Sequence, residues 1–458
     1  MNSPFSSSSG GPPSPPQAAS ESSFLRVQEP PLIVVQMLLD HFLPHATQFG
    51  FFLHVDSFRE SAVSLWADPL RPSPALLSAV YLWGAHLSSS QPPLSSEPVF
   101  LKRAKQSVSV EISEKSNALL LLHTIQAQVL LSTYLFHNNR FLEAEFHVNG
   151  AATLALGYQL HKIRSARPVP PPLLGVSALS MGEVYPAPPA DALEEGERIR
   201  AFWTVACLQS TLNIVLDAAA SSNFSILESS GADIDTPWPL EMYDYALGAL
   251  PPAYRGQETL RTFFTEDPPP ASPVPTLYAK AAVLLQRATR LSSKWSPNLD
   301  AQETAAYAVS RAWLDGRIAG FWETLPPLAA FYADSANART LMLAYGMTAA
   351  AAIALHRAPG SVTVDPNAQT KCVSAARALL ACLGDTRVPD CTTAHPIVGA
   401  LCATACRALM EALQQARAFN FLVAPGTEEK EAAALARDLQ HGMTTVRMYA
   451  AGSPLIRE

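Results

Sequence analysis

The stretch A-L-L-L-L-H-T-I-Q-A-Q-V-L-L-S-T-Y-L-F-H-N, residues 118–138, decides the fold. Apolar residues cover nearly every side of its 3.6-residue period, and neither Gly nor Pro interrupts it. A helix that is apolar all round must be buried on most sides by other elements. Asn138-Asn139 end it, and a second helical pattern runs from Arg140 to Leu160. A connection of two or three residues joins antiparallel neighbours, so the two segments form a helical hairpin.

The same periodicity extends outward in both directions. It predicts helices at about 32–43, 57–67, 74–88, 97–115 and 191–218. Further on it predicts them at about 276–295, 299–323, 336–358, 367–384, 396–421 and 428–451. Pro74 opens its segment, where a proline costs no hydrogen bond. F-F-L-H-V at 51–55 is the one short strand candidate, and it reads equally well as extended loop. The expected fold is all-α, with one large domain of packed antiparallel helices over 32–453. Pro-rich loops interrupt it at 165–190, with seven prolines, and at 241–275, within an irregular stretch that begins near Asp235. Residues 1–31 hold nine Ser and seven Pro. Such a segment buries too little apolar surface to offset its ordering entropy and is expected to be disordered.

Composition narrows the functional classes. The 458 residues are 48% apolar and 16% charged, with a net charge of −7. An acidic chain lacks the clustered Lys and Arg that phosphate contacts need, so no direct nucleic-acid binding is expected. Six cysteines in this length are too scattered for a disulfide framework and point to a reducing compartment. The absence of basic residues before Arg26 argues against secretory and transit leaders. The best apolar run, Leu341 to Leu355, falls short of the ~20 residues a membrane span requires, so no membrane is expected as a partner.

No phosphate-binding, dinucleotide, metalloprotease or nucleophile-elbow motif is present, and no enzymatic activity, catalytic residue or cofactor is expected. The combinations that could carry chemistry read more simply as structure. His137, Glu143, Glu145 and His147 lack the second Glu-x-x-His copy of a di-iron site and read as an interhelical polar cluster. Cys391, His395, Cys402 and Cys406 have i, i+4 spacings, but their surroundings are apolar or proline-flanked. They read as core packing rather than zinc ligands. His54 with Asp56 reads as a structural pair. Lys102, Arg103 and Lys105, like Lys162, Arg164 and Arg167, read as solvated basic faces.

Several segments together resemble a known family. They are H-F-L-P-H-A-T-Q-F-G-F-F-L-H-V-D-S-F (41–58), L-L-S-A-V-Y-L-W-G-A-H-L (76–87), H-T-I-Q-A-Q-V-L-L-S-T-Y (123–134) and R-F-L-E-A-E-F-H-V-N-G-A-A-T-L-A-L-G-Y-Q-L-H-K-I (140–163). E-G-E-R-I-R-A-F-W-T-V-A-C-L (195–208) is the strongest, and D-I-D-T-P-W-P (233–239) follows it. In this order they resemble the regulatory domain of fungal transcription factors. This is the middle homology region of zinc-binuclear-cluster regulators, also called the xylanolytic activator regulatory domain. The likeness spans roughly 38–240, and beyond it only general helicity remains.

The resemblance implies a nuclear, non-catalytic module that relays an inducer or partner signal to transcription by RNA polymerase II. It implies partners in the transcription machinery and leaves room for a small-molecule inducer and a homodimer. Glu195, Arg200, Phe202, Trp203 and His161 would form the structural core of the family motif. Two departures stand out. Gln209-Ser210 replaces the family's frequent Asp-Arg, read as an exposed ion pair. The zinc cluster, C-x2-C-x6-C, is missing, since the first cysteine is Cys207. No zinc or DNA function transfers to any residue. The chain therefore reads either as part of a longer regulator or as a stand-alone helical scaffold or co-regulator. An upstream in-frame exon encoding the cluster separates these two.

Overall fold

The computed structural model describes residues 29–65, 68–88, 97–113, 118–166, 188–215, 225–229, 234–248, 250–266, 271–296, 298–357, 365, 367–388, 395–420 and 428–450. Most of the Ser/Pro-rich N-terminus, most of the 165–190 loop, and residues 451–453 lie outside them. Among the described residues the chain forms sixteen α-helices and no strand, with one isolated bridge between Ser165 and Gly256. The all-α class is as the periodicity predicts.

The first half comprises α1 (Leu32–Phe42), α2 (Val55–Ala62), α3 (Pro74–Leu87), α4 (Glu97–Ser113), α5 (Ala118–His137) and α6 (Phe141–Gly157). Helix α7 (Ala192–Val215) packs against α5 and α6 on one side. Short helices α8 (Ile226–Ser229), α9 (Met242–Ala246) and α10 (Thr259–Thr265) follow. The second half comprises α11 (Val274–Ser293), α12 (Ala301–Thr324), α13 (Ser335–Arg357), α14 (Ala368–Leu383), α15 (Ile397–Asn420) and α16 (Glu428–Ala450). Here α11 and α13 pack extensively, and α14, α15 and α16 continue in series. Helix α7 also touches α11 and α15, so it is the plank on which both halves rest.

Local signals set the boundaries. Asn139 turns left-handed at φ 59°, and Arg140 N donates back to Leu135 O at 2.8 Å, closing α5 before α6 begins. Ser73 caps α3 through Leu76 N, and Asp300 forms a capping box with Glu303 on α12. The polar residues of the deciding segment are spent internally. Gln126 accepts from Phe52 N at 2.7 Å and donates to Gly50 O at 3.0 Å. Ser132 Oγ donates to Ala144 O at 2.8 Å, fastening the hairpin. Buried Glu111 accepts from Ala75 N, Ser73 Oγ and Thr124 Oγ1, a carboxylate placed at the N-terminal end of α3 where the helix dipole favours it.

Two expectations need correction, and one open alternative is decided. Of the strand and loop readings of 51–55, the loop holds. Phe51, Phe52 and Leu53 are buried in a loop whose amide Gln126 satisfies, and α2 starts at Val55. The stretch from Asp235 to Pro275 is not wholly irregular, because α9 and α10 form within it. Helix α7 exposes no described side chain. Arg198 is buried against the Tyr158 ring, and Glu197 accepts from His54 N at 2.8 Å. Finally, three helices are long and apolar enough to cross a membrane by length and composition: Leu119–His137, Ser335–Arg357 and Ile397–Arg417. Counting uninterrupted apolar runs missed them, since each tolerates Gln, Thr, His or Gly. In this fold 89%, 78% and 50% of these windows are covered by other parts of the chain.

Candidate functional site: a cavity between the two halves

Helix α7 presents Arg200, Trp203, Thr204, Cys207 and Leu208 at i, i+3, i+4, i+7 and i+8, which is one continuous helical face. That face forms one wall of a cavity of about 450 Å3. The first half adds Thr47, Gln48, Gly50, Phe51 and Thr133. The second half adds Tyr278 of α11, Arg339 to Leu343 of α13, and Tyr449 of α16. The volume falls within the ~300–1,000 Å3 of small-molecule sites, and the largely apolar lining with a few convergent polar groups is typical of them.

Polar clasps hold this wall. Trp203 is buried, donates Nε1 to Pro237 O at 2.8 Å and stacks on Trp238 at 4.3 Å. Tyr254 donates its hydroxyl to Trp238 O at 2.7 Å, and Tyr245 accepts from Leu240 N at 3.0 Å. Tyr245 crosses α7 at Gly196, where any Cβ would fall 2.2 Å from its ring. Arg164 donates to Glu195 at 2.7 Å. His161 O accepts from the amides of Asp235 and Thr236. Asp235 in turn accepts from Ser165 Oγ at 2.7 Å and Glu258 N at 3.0 Å.

The structure thus brings the five motif residues to one region with three different duties. Phe202 is wholly buried, edge-on to Trp203. Glu195 and the His161 carbonyl fasten the segment that carries Pro237 and Trp238. Arg200 faces the cavity beside Trp203. Trp203 is at once packed in the core and part of the cavity wall.

The electrostatics of the wall centre on Arg200. It forms no hydrogen bond or salt bridge with any described residue. Burial pulls its guanidinium below its ordinary range, while the Glu241 charge opposes that shift. Burial likewise pushes the Glu241 carboxyl up, against the pull of Arg200. His395, at the same cavity, is pushed down to about 4 by burial, so its ring is neutral at pH 7. Asp334 is committed to its own helix start, accepting from Asn337 N and Nδ2 at 3.1 and 2.9 Å.

The other sequence candidates are not gathered into a site. Glu143 is engaged by Lys105 of α4 and by Arg140. His147 is buried, and His137 packs against Trp83 and His86. The Nδ1 atoms of both lack partners, and burial holds both near pKa 4. Glu145 is half-buried on the same helix. His54 caps α2 through Ser57, with Asp56 exposed beside it. Cys402 is buried and Cys406 half-buried, with both thiols pushed up by burial. Cys391 lies outside the described residues. Lys162 pairs with Asp235 at 3.6 Å, and Arg164 with Glu195. Lys102 is exposed and Arg103 half-buried. Arg167 lies outside the described residues. Gln209 and Ser210 are buried rather than exposed. Gln209 bonds Asn149 and Ile226 N, and Ser210 bonds Gln286, so neutral hydrogen bonds join α7 to its neighbours.

One cluster went unmarked in the sequence. Asp315, His356 and Asp365 bring ligand atoms within 4.8 Å of one another. Lys371 Nζ already donates to both carboxylates at 2.7 and 3.0 Å, and Arg311 donates to His356 Nδ1 at 2.8 Å. A guanidinium only donates, so Nδ1 accepts and Nε2–H donates to Asp315 at 2.7 Å. With a neutral histidine and two resident cations, the cluster is an ion-pair network on this geometry. Its members come from α12, α13, α14 and Asp365, which no local spacing links. The cavity residues Glu241, Tyr278 and Arg339 are equally dispersed. Arg200 alone had a local signal, as a cation on an otherwise small and apolar helical face.

No protein family matches the sequence, and no relative was found among curated proteins or solved structures.

Proposed function

We propose that this chain is the non-catalytic regulatory domain of a fungal transcription factor, in which a small molecule bound between the two helical halves biases transcription by RNA polymerase II. The observation that carries this reading is the cavity's position. Its principal wall is the same helix, α7, that bears the strongest family wording, and the opposite walls come from the second half. A ligand there touches both halves at once, the arrangement by which differential contacts shift a conformational equilibrium. The working partners are proteins of the transcription machinery, the working compartment is the nucleus, and DNA contact belongs to another element or subunit. The test is to fuse the full chain to a heterologous DNA-binding domain in a fungal reporter strain. A reporter response that Thr204→Trp, filling the cavity, abolishes without loss of folded protein supports the reading. An inert fusion overturns it.

The second reading, a stand-alone interaction scaffold, is favoured by Leu142 and Phe146. They lie one turn apart on α6 and are 81% and 73% exposed. It predicts that Phe146→Glu abolishes partner capture while cavity-filling variants leave capture unchanged.

A further inference from the structure

We infer that the cavity is built for an organic anion, with Arg200 receiving a carboxylate and the aromatic and aliphatic wall receiving an apolar body. The inference rests on reading the cavity as an effector site and adds the ligand's chemical class.

Arg200 brings five N–H donors to a half-buried position facing the cavity and makes no hydrogen bond or salt bridge with a described residue. Its donors are open to whatever fills the cavity, and an ionised acceptor there makes the strongest bonds with them. The other charged groups around the cavity leave those donors available. Glu241 is near enough to act on Arg200 through space but forms no salt bridge with it. Asp334 is held by Asn337. His395 contributes none. A planar carboxylate suits a guanidinium because two parallel N–H···O bonds form at once. The apolar part of the cavity lining includes Phe51, Trp203, Leu208, Tyr278, Met342 and Leu343, which suits rings or short aliphatic chains.

The experiment is calorimetric titration of the full chain with benzoate, naphthalene-2-carboxylate and octanoate, each paired with its neutral amide. Unfolding midpoints are measured alongside for wild type, Arg200→Gln and Thr204→Trp. The expected result is that at least one carboxylate binds about 10- to 100-fold more tightly than its amide, the range for a hydrogen bond to a charged group. Arg200→Gln removes that preference without lowering the midpoint, and Thr204→Trp removes binding of both partners of the pair. Equal binding of acid and amide overturns the anion assignment and leaves the effector cavity standing. A lowered midpoint with the preference intact makes Arg200 a structural residue and also overturns the assignment. Failure of every acid and every amide to bind overturns both the assignment and the effector reading.

Discussion

The two halves of the molecule each bury one long apolar helix, and they do so differently. Helix α5 packs Leu, Ile and Phe and threads Gln126, Thr124 and Ser132 into specific hydrogen bonds with loops and neighbours. Helix α13 packs small residues, including Ala344, Gly346, Ala349, Ala350 and Ala351, against α11 and α14. Large rings reinforce the first half, as where Phe49 stacks on Trp83 at 3.9 Å. The second half relies more on ion pairs near its surface, such as Arg357–Glu411 and Arg377–Asp438. The contrast teaches that one all-α fold contains two kinds of tolerance. The long helix of the first half demands particular atoms at particular places, whereas that of the second asks mainly for closeness.

The largest expected effect falls where the halves meet. Trp203→Ala removes a buried ring, its stacking on Trp238 and its bond to Pro237. It should destabilise the protein by ~3–5 kcal/mol, the range for deleting a buried aromatic, read as a shifted urea midpoint. An unchanged midpoint with lost reporter activity would mean that Trp203 serves the cavity alone. Next come the glycines. A Cβ at Gly84 would sit 2.3 Å from Leu38 O, a main-chain atom, whereas one at Gly346 meets side-chain ends, Leu401 Cδ1 at 3.0 Å and Leu383 Cδ2 at 3.8 Å. Gly84→Ala should cost about 1–3 kcal/mol through overpacking. Gly346→Ala should be near neutral, because Ala is the better helix former by up to ~1 kcal/mol. Equal costs would erase the contrast between the halves.

Acid should also separate them. Burial holds His123, His137 and His147 near pKa 4, against an ordinary 6.5. The unfolded chain therefore binds more protons in that window, and their contribution to stability is lost as pH falls from about 6.5 toward 4. In the second half, His395 behaves likewise. Asp315, held near 2 by its hydrogen bonds to His356 and Lys371 against its own burial, gives up stability only below its ordinary 3.8. Glu197 runs the other way. Burial raises its carboxyl to about 7, so its contribution is present in acid and is lost as pH rises through 7. Protection factors from hydrogen exchange, corrected for the intrinsic pH dependence, should fall more from pH 7 to pH 5 in α5 and α6 than in α13, and the reverse order would contradict this account. The smallest effect belongs to Arg377→Ala, which removes a largely solvated pair. It should move stability by less than ~1 kcal/mol, and a larger loss in thermal unfolding would show that this surface pair is itself a specific anchor.

The legibility of the sequence follows the same division. The α5–α6 hairpin and the long helices of both halves were readable because apolar periodicity is local and their ends carry Asn, Ser-Pro or Asp signals. Helices α9 and α10 were not, since five and seven residues among prolines carry too few turns for a period. The burial of Arg198 and Gln209 was unreadable because what covers a polar residue, here the Tyr158 ring or Asn149, lies far off in the sequence. Trp203 read as a packing residue, with an inducer pocket as the rival, and that it does both was not legible, since a cavity is defined by what the opposite helices leave unfilled.

The cavity wall is drawn from Thr47 to Tyr449, nearly the whole described span. Tyr449 is seated late in the chain, its hydroxyl donating to Leu383 O at 2.7 Å. Contacts so distant in sequence form slowly, and a chain made from its N-terminus completes them last. During synthesis the α7 wall can therefore fold against the first half while its far side is still open. The finished compartment comes into being only once α16 has emerged and docked. A ligand present at that moment binds the completed chain and not the nascent one, so it would raise the yield of mature protein rather than the speed of its early folding.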